Sequence, residues 1–466
     1  MPANRLNAIT PGIFSKIKAV VGSANCSRAK EDRLCYAFDA TRRESLPDAV
    51  AWPENAEEVA RILQLANQHR FAVVPRGAGS GMSGGAIAVA GGLVLVMTRF
   101  KRILEIDTEN LIARVEPGVV TGVFQQAVAE KGLFYPPDPS SADFSTLGGN
   151  VAECAGGPKA VKYGVTRDYV LGLEAVLPTG DRVHAGVKTA KGVVGYDLSR
   201  LLTGSEGTLG VITELTLRLL PLPQHVRTMT VYYDQMETAA AAVSEIIRRG
   251  HIPRTIEYMD RAAIRCVENY MTMGLPGAVE ALLIIEVDGA DAGGVRQSAD
   301  AIYDLCMARG ARQVEVAETP EAARTLWQAR KSISPALYQL APDKINEDIV
   351  VPRSRIPDMV ARIRELSRQT GLTMVSFGHA GDGNIHFNIM LDKKDAAALE
   401  KANAAVDEIF NYTLALGGTL SGEHGIGISK APYMQKEVSA PMLALMKRIK
   451  KAFDPAGVLN PGKMNL

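Results

Sequence analysis

The chain of 466 residues is about three times as long as a typical single domain, so we expect more than one hydrophobic core. Its composition, 47% hydrophobic and 22% charged, is that of an ordinary globular protein. The formal net charge is +1 and no long basic run occurs, which argues against a nucleic-acid groove. No apolar stretch approaches the roughly 20 residues that span a bilayer, and residues 1–22 lack the features of a signal peptide.

The cysteines are few, odd in number and scattered, and no two stand at C-x-x-C spacing. They are Cys26, Cys35, Cys154, Cys266 and Cys306. This pattern predicts reduced thiols, and it disfavours both a disulfide framework and an iron–sulfur cluster held by this chain. The cytoplasm is the expected compartment.

Short strands and helices alternate in the first part of the chain. Residues 48–53 predict a strand, and Asn55 and Glu58 then stand at the spacing of a capping box. The helix that follows carries apolar residues at helical spacing, namely Val59, Ile62, Leu63 and Ala66. Residues 71–75 predict the next strand, which runs into a glycine-rich loop.

Two hairpins are predicted further along. Residues 103–107 and 112–116 flank one polar turn, and residues 171–177 and 182–185 flank another. This half of the chain is therefore predicted to be mixed α+β and not a run of βαβ units.

Pro221-Leu222-Pro223 is a predicted linker, and beyond it strands and helices alternate. Strands are predicted at 228–233, 255–259, 281–287 and 313–317, and helices at 238–249, 262–270 and 295–309. The alternation predicts a sheet with helices on one face, a ferredoxin-like layer.

The loop after residue 75 matches G-x-G-x-x-G from Gly79 to Gly84. A dinucleotide-binding loop of that type must open a helix, whereas residues 85–92 are small and a strand is predicted at 93–98. We therefore expect no NAD site here. Arg76 lies among glycines whose N–H groups could close on an anion, so a phosphate is favoured over a plain tight turn.

Two further glycine-rich blocks follow, one from Ser145 to Asp168 and one from Thr203 to Gly210. Glycine permits a close approach of backbone to a ligand. Three such blocks in one domain indicate that backbone lines a long ligand.

Together these blocks resemble the flavin domain of the vanillyl-alcohol oxidase superfamily, in its D-lactate, glycolate and D-2-hydroxyglutarate dehydrogenase branch. The matching motifs are Val74-Pro75-Arg76-Gly77-Ala78-Gly79-Ser80, Asp138-Pro139-Ser140, residues 146–150, Lys162-Tyr163-Gly164 and residues 204–210. The resemblance runs from about residue 46 to the C-terminus.

The resemblance implies an α+β fold with a bipartite FAD-binding domain of the p-cresol methylhydroxylase type, made of two α+β subdomains. It also implies a ferredoxin-like α+β substrate (cap) domain and a C-terminal segment that returns to the flavin domain. The expected boundaries are 1–45 for an N-terminal helical segment, 46–223 for the FAD-binding domain, 224–420 for the substrate domain with a metal-binding hairpin, and 421–466 for the C-terminal segment.

FAD is the implied cofactor, with its pyrophosphate at the Arg76 loop. Relatives with covalent flavin carry a histidine where this chain has Ser80, which favours non-covalent FAD. The implied flavin contacts are Pro75, Arg76, Gly77, Ala78, Gly79, Ser80, Gly81, Asp138, Thr146, Gly148, Gly149, Asn150, Gly157, Tyr163, Gly164, Glu206, Gly207, Gly210, Ile212 and Asn460.

Three of the seven histidines fall in glycine-rich settings near the C-terminus. A strand ending at His379, the turn Gly381-Asp382-Gly383-Asn384 and a return strand with His386 and Asn388 on one face predict a hairpin that joins the two histidines. Glu423 and His424 follow on a glycine-rich loop. Two imidazoles and a carboxylate suit zinc, manganese, iron or cobalt, although the histidines could instead be structural core groups.

The same resemblance assigns roles to these residues. His379, His386 and Glu423 would bind a divalent metal, zinc being our first choice, and His424 would be the base. Arg330 matches a carboxylate-binding arginine, with Ser334 as its partner. Asn388 matches a position that contacts the far carboxylate of 2-hydroxyglutarate. The family's nearby lysine does not align cleanly, because Asn346 falls at its register and Lys344 lies two residues earlier.

These observations predict oxidation of a small D-2-hydroxy acid, D-lactate first and D-2-hydroxyglutarate or glycolate behind it. A metal would stabilise the developing alkoxide while an imidazole takes the hydroxyl proton. The alternatives are a flavin electron-relay subunit without substrate chemistry and a metal-dependent hydrolase.

The electrons are expected to leave to a separate acceptor, because the sequence offers neither a cluster motif nor a credible NAD site. An electron-transfer flavoprotein or an iron–sulfur subunit would fit, and oxygen stays an alternative. Neither a nucleic acid nor a transmembrane segment is expected, and the sequence is compatible with a homodimer.

Overall fold

A computed structural model describes residues 6–466, so the first five residues of the predicted N-terminal helical segment lie outside the described part. The chain forms two compact bodies. The first body contains the residues up to Ala155 together with Val165–Leu222 and Glu423–Leu466, and the second contains Gly156–Gly164 and Pro223–Gly422.

Within residues 6–466, the two bodies contain eighteen strands and fifteen α-helices. The strands are β1 Cys26–Ser27, β2 Ala49–Ala51, β3 Val73–Arg76, β4 Leu93–Val96, β5 Ile103–Asp107, β6 Ile112–Val115, β7 Leu133–Phe134, β8 Val170–Val176, β9 Arg182–Gly186, β10 Val211–Arg218, β11 Leu220–Pro221, β12 His225–Tyr233, β13 Thr255–Asp260, β14 Ala281–Gly289, β15 Gln313–Val316, β16 Asp343–Val350, β17 Thr373–His379 and β18 Asn384–Leu391. The helices are α1 Pro11–Val21, α2 Lys30–Cys35, α3 Ala56–His69, α4 Thr121–Ala129, α5 Leu147–Glu153, α6 Ala160–Tyr163, α7 Leu198–Leu202, α8 Met236–Arg248, α9 Arg261–Tyr270, α10 Ala292–Ala308, α11 Pro320–Ala336, α12 Ile356–Thr370, α13 Ala396–Ala415, α14 Met434–Glu437 and α15 Ala440–Phe453.

Two sheets build most of the first body. One is four-stranded in the order β1-β2-β4-β3, with β4 parallel to both β2 and β3. The other is five-stranded and antiparallel in the order β5-β6-β10-β8-β9, and it contains both predicted hairpins. The bipartite α+β character predicted from the sequence is confirmed.

Helix α3 begins as its sequence predicts. The Asn55 side chain accepts from the Glu58 backbone N–H at 3.0 Å. The Glu58 carboxylate, however, accepts from the backbone N–H of Glu54 and not from that of Asn55. All four apolar residues of the predicted stripe are buried in the core formed by α1, α3 and the four-stranded sheet, which is how an amphipathic helix is held.

The glycine loop joins β3 to β4, two adjacent parallel strands, without an intervening helix. A Rossmann unit would place a crossover helix in that connection. The predicted absence of the dinucleotide-binding fingerprint at Gly79 to Gly84 is therefore confirmed.

A seven-stranded antiparallel sheet forms the centre of the second body, in the order β15-β12-β14-β13-β17-β18-β16. Its first four strands have the 4-1-3-2 order of a ferredoxin-like layer, as the sequence predicts. The prediction that the helices lie on one face is wrong, because α9 and α11 cover the face of Tyr232, whereas Cys306 of α10 contacts Tyr233 on the other face. Strands β17, β18 and β16 extend the sheet beyond β13. Strands β17 and β18 form the hairpin that contains His379 and His386.

Helices α9 and α11 pack on the sheet face that carries Phe377, Met259 and Ile284, and together they form one hydrophobic core. Helices α8 and α10 contact β12 and β14. Between Leu6 and Leu466, no helix is both long enough and apolar enough to cross a membrane.

Candidate functional site

The three glycine-rich blocks lie against one another within the first body, to which the second block contributes Ser145–Ala155 and Val165–Asp168. A Cβ atom added to Gly77 would lie 2.2 Å from Thr146 Oγ1, and one added to Gly207 would lie 2.8 Å from Pro75 Cγ. Because real Cβ atoms do not approach so closely, only glycine lets these backbones meet. The loop after β3 is thus packed against the start of α5 and against the turn before β10.

Arg76 ends β3 and is only 6% exposed. Gly79 is left-handed, with φ 71°, and a Cβ atom there would lie 2.1 Å from Arg76 Nη2, so the loop folds over the guanidinium. Burial lowers the pKa of Arg76, while Asp39 and Tyr36 oppose that shift. Its Nε atom has no hydrogen-bond partner within residues 6–466. A buried cation with an unused donor fits an anion such as the FAD pyrophosphate.

The C-terminal segment packs against the glycine loop and the third glycine block of the first body, as the resemblance implied. Asn460 donates from its side chain to the carbonyl oxygens of Gly85 at 3.0 Å and Glu206 at 2.7 Å. Its backbone N–H donates to Val73 O at 2.8 Å, and Lys463 Nζ donates to Ile87 O at 2.8 Å. One residue therefore ties the glycine loop to the block that contains Glu206.

The other predicted flavin contacts are divided between the two bodies. In the first body lie Ala78, Ser80, Gly81, Asp138, Gly148, Gly149, Asn150, Gly210 and Ile212, and in the second lie Gly157, Tyr163 and Gly164. Asn150 is buried, and its side chain donates to Thr121 Oγ1 at 2.7 Å. A Cβ atom at Gly148 would lie 2.4 Å from Pro117 Cβ, so that glycine also serves a close approach.

Tyr163 is held by a carboxylate of the large sheet. Its hydroxyl donates to Asp288 Oδ2 at 2.8 Å, and Lys162 forms an ion pair with the other oxygen of Asp288. Arg254 lies 3.7 Å from the same carboxylate. Strand β14 therefore fixes the segment that carries the predicted flavin contact.

The histidine hairpin forms as the sequence predicts. Strands β17 and β18 are antiparallel, with Phe377 opposite His386 and His379 opposite Asn384. The two histidines are therefore diagonal neighbours on one face, both buried, and their Nε2 atoms lie 3.4 Å apart.

Glu257 of β13 orients the first of these histidines. One oxygen of this fully buried carboxylate lies 2.6 Å from His379 Nδ1. Because a carboxylate only accepts, Nδ1 carries the ring proton and Nε2 keeps its lone pair. A histidine oriented in this way is the usual form of a metal ligand.

Glu423 is the predicted third ligand of the metal. It is the first residue of the C-terminal segment of the first body, whereas His379 and His386 belong to the second body. Glu423 is peptide-bonded to Gly422, the last residue of the second body, and Gly422 N donates to Asp348 Oδ2 at 2.8 Å. Asp348 lies opposite His386 in the sheet, so it fixes the chain immediately before the third ligand.

Arg330 projects from α11 over the Phe377 ring, with its Cζ atom 4.9 Å from the ring centroid. Its Nε and Nη2 atoms donate to Glu257 Oε2 at 2.8 and 2.7 Å, and neither bond uses Nη1. Glu257 therefore links the predicted substrate arginine to the predicted metal ligand His379. The hydroxyl of Ser334, the predicted partner of Arg330, instead accepts from Lys344 Nζ at 2.6 Å.

Asn388 is fully buried on the same face as His386. Its side-chain oxygen accepts from Asn346 Nδ2 at 2.8 Å, and the two residues are register partners in β18 and β16. In the described part of the chain, neither Asn388 Nδ2 nor Asn346 Oδ1 has a hydrogen-bond partner. Buried polar atoms are normally satisfied, so this pair has capacity for a polar ligand.

Sequence reasoning missed Glu257, Asp348 and Asp288. Glu257 and Asp288 lie in strands whose other residues are almost all buried, and Asp348 lies between the buried residues Glu347 and Ile349. Charged residues are rarely buried without a partner, and that mismatch is the signal that could have identified them.

Comparison with known proteins decides the family. The profile described as "FAD linked oxidases, C-terminal domain" matches residues 222–464, more than half of the chain, and "FAD binding domain" matches residues 47–186. The chain belongs to the FAD-linked oxidase family. This FAD-linked oxidase is therefore an oxidoreductase with an FAD-binding domain followed by a family-specific C-terminal domain.

Curated relatives cover nearly the whole chain. Glycolate oxidase subunit GlcD of Bacillus subtilis (strain 168) is 44% identical, and the match covers 98% of this chain and 97% of the relative. D-lactate dehydrogenase of Anaerostipes hadrus is 33% identical, with coverage of 100% and 99%. The chain thus lies in the part of the family that contains proteins with these two names.

Solved structures support the fold. p-Cresol methylhydroxylase with bound substrate aligns with a TM-score of 0.82 at 18% identity, covering 98% of both chains. Alkyldihydroxyacetonephosphate synthase aligns with a TM-score of 0.77 at 20% identity, covering 99% of this chain and 87% of the other. At these identities the likeness concerns the fold alone.

Proposed function

We propose that this FAD-linked oxidase oxidises a small D-2-hydroxy acid to the 2-oxo acid, with D-lactate as the favoured substrate. The observation that supports the proposal is the series of contacts between the buried side chains of Arg330, Glu257, His379 and His386, which brings one guanidinium and two imidazoles together at one sheet face. Relatives named D-lactate dehydrogenase and glycolate oxidase subunit support the same substrate class.

Arg330 would bind the C1 carboxylate that all 2-hydroxy acids share. Glu257 holds the guanidinium by Nε and Nη2, so its orientation is set before substrate arrives. Nη1 stays available for the carboxylate. Ser334 would then serve through Lys344 and not as a direct partner of Arg330.

His379, His386 and Glu423 would bind a divalent metal, for which their ligand types suit zinc, manganese, iron or cobalt. The Nε2 atoms of the two histidines lie 3.4 Å apart, close enough for both to reach one cation. The metal would supply a Lewis acid for the substrate hydroxyl. His424, one residue beyond Glu423, would accept the hydroxyl proton.

FAD, once bound, supplies the acceptor for the hydride that leaves substrate C2. Arg76 and its glycine loop would hold the pyrophosphate, and Ser80 provides no histidyl nitrogen for a covalent link. We expect FAD to be released on acid precipitation. Yellow colour retained in the washed pellet would contradict non-covalent binding.

The Asn388–Asn346 pair would contact the substrate tail, together with Lys344, which lies on β16 with Asn346. The tail of D-lactate is a methyl group, and the tail of D-2-hydroxyglutarate ends in a second carboxylate. Glycolate has no tail. The unused Asn388 and Asn346 atoms support the dicarboxylate as an alternative substrate. The relatives named glycolate oxidase subunit support glycolate as another.

The electrons would leave to a separate partner, an electron-transfer flavoprotein or an iron–sulfur subunit. The word "subunit" in the name of the GlcD relatives supports an assembly. Turnover with an artificial dye but not with NAD or oxygen would fit this proposal, whereas rapid turnover with either of the latter would contradict it.

An anaerobic bleaching screen tests the proposed function. The yellow protein is mixed with D- and L-lactate, glycolate and D- and L-2-hydroxyglutarate, and flavin absorbance is followed. We expect D-lactate to bleach the flavin and L-lactate to leave it oxidised. An oxidised flavin with every acid would favour an electron-relay subunit, and a colourless protein would favour a hydrolase.

A further inference from the structure

Glu206 is a buried residue of the third glycine block, and both of its carboxylate oxygens are occupied by one loop of the first body. Oε1 accepts from the backbone N–H of Ile426 and Oε2 from that of Gly427, each at 2.6 Å. These two amides lie two and three residues after His424. The carboxylate is thus a two-point clamp on the backbone that follows the proposed base.

The clamped loop has no room to move toward its neighbours. A Cβ atom on Gly425 would lie 2.2 Å from Glu153 Oε2 and 3.0 Å from Glu206 Oε1. One on Gly427 would lie 2.1 Å from the Ser83 carbonyl oxygen, and both glycines have positive φ. The loop therefore lies tightly between the Glu206 side chain and the glycine loop after β3.

The clamp is held at a conformational and electrostatic cost. Glu206 has φ 53°, a left-handed conformation that is unfavourable for a non-glycine residue. Burial raises the pKa of Glu206, and the Ile426 and Gly427 amides, then Lys463 and Lys430, oppose that rise. Strain that surrounding structure maintains is typical of functional sites.

We infer that Glu206 is a positioning residue for His424, acting by fixing the backbone of residues 425–427. The backbone carbonyl of Glu206 also accepts from Asn460, so the clamp is joined to the glycine loop at Gly85. This role differs from the flavin contact expected from the sequence, because the side chain is committed to the loop. The inference rests on the proposed role of His424 as the base.

The main test is Glu206→Gln, which keeps the size of the side chain but turns one acceptor into a donor that faces an N–H group. Anaerobic stopped-flow mixing with D-lactate gives the limiting rate of flavin reduction and the substrate Kd, and absorbance gives FAD content. We expect the limiting rate to fall about 100-fold, as for a displacement of roughly 1 Å in a catalytic group, with FAD content and substrate Kd unchanged. Glu214→Gln is the matched control, since Glu214 lies on β10 and pairs with Arg114.

A second variant, Gly425→Ala, keeps the Glu206 side chain and displaces the loop by crowding, most closely against Glu153 Oε2. If both variants act by moving the loop, the double variant should be no slower than the slower single variant, because the same positioning is lost once. If Glu206→Gln does not fold, Gly425→Ala still tests whether the position of residues 425–427 controls the rate of flavin reduction. A wild-type rate for Gly425→Ala in that case overturns the inference.

Two outcomes keep this inference separate from the proposed function. If Glu206→Gln loses FAD while each remaining flavin is reduced at the wild-type rate, Glu206 holds the cofactor and the positioning role is wrong. If His424→Asn reduces its flavin at the wild-type rate, the proposed base is wrong, whatever Glu206 does. If His424→Asn reduces its flavin slowly but Glu206→Gln does so at the wild-type rate, the positioning role of Glu206 is wrong and the proposed base is retained.

Discussion

The carboxylate of Glu257 satisfies two buried groups at once, the Arg330 guanidinium and the His379 ring. Removing one member of such a buried network leaves an uncompensated charge, which costs more than the pair contributes. The same residue also sets which nitrogen of His379 can accept a ligand. Stability and chemistry are therefore coupled at this position.

Glu257→Gln should weaken both the fold and the metal site. We expect the free energy of unfolding to fall by about 3 kcal/mol, because Arg330 loses its buried counter-charge. Metal affinity should fall roughly 10- to 100-fold, since His379 loses the group that fixes its tautomer. Denaturant titration and metal content after dialysis against a chelator measure the two effects. The control Glu321→Gln breaks an exposed ion pair with Arg324 and should change neither the stability nor the metal content. Retention of metal by Glu257→Gln would refute the orienting role of Glu257.

Asn388→Leu should alter substrate choice more than it alters turnover of D-lactate. The change removes a buried amide whose Nδ2 atom has no partner among the described residues. A hydrogen bond to a charged tail contributes about 1.5–3 kcal/mol, so kcat/KM for D-2-hydroxyglutarate should fall roughly 10-fold or more relative to D-lactate. Equal losses for the two acids would show that Asn388 does not contact the tail.

At the scale of elements, the histidine hairpin could be predicted because its turn and its alternation are local in sequence. The strand pattern of Val375, Phe377 and His379 and the glycine turn suffice to pair β17 with β18. The neighbour on the other side of β17 could not be predicted in this way. Strand β13, which supplies Glu257, lies more than a hundred residues away, and only tertiary packing brings it beside His379.

Gly383→Ala tests the hairpin turn. Gly383 has φ 93°, and a Cβ atom there would lie 2.0 Å from the Val351 carbonyl oxygen, so the turn that joins the histidine strands must shift. We expect lower thermal stability and reduced metal content.

Gly371→Ala is the matched control for this turn. Its φ is 71°, but nothing lies within 4 Å of the added Cβ atom, so only the strain of about 1–2 kcal/mol applies. Thermal melts and metal analysis compare the two variants. Equal melting temperatures and metal contents would mean that the close approach at Gly383 has no consequence for the site.

At the scale of the whole molecule, the order of strands and helices predicted the α+β class and the ferredoxin-like strand order, and the family resemblance implied the FAD-binding blocks. They did not predict that Gly156–Gly164, within the sequence of the flavin domain, belongs to the second body. The ion pair of Lys162 with Asp288 joins residues 126 positions apart, and no local pattern encodes such a contact.

The buried acids of the first body should make its stability depend on pH. Burial, then Glu206 and Asp39, raise the pKa of Glu153 well above its usual value. The folded protein therefore keeps a proton that the unfolded chain releases above about pH 4.3, so this contribution to stability is lost as pH rises through the folded pKa.

Glu153→Gln mimics the protonated acid and removes that dependence. We expect the melting temperature of the variant, relative to wild type, to rise between pH 5 and pH 8. A difference between Glu153→Gln and wild type that stays constant over this range would mean that Glu153 does not bind the proton.

The central claim, that a metal held by His379, His386 and Glu423 assists oxidation of a D-2-hydroxy acid, is tested most directly by one measurement. Purified protein is stripped of metal with a chelator, its FAD content is verified, and the rate of anaerobic flavin reduction by D-lactate is compared before stripping, after stripping and after adding zinc, manganese or cobalt. We predict that stripping abolishes reduction and that at least one of these ions restores it in wild type but not in His379→Ala. Full-speed reduction by the stripped protein with its FAD intact would contradict the account.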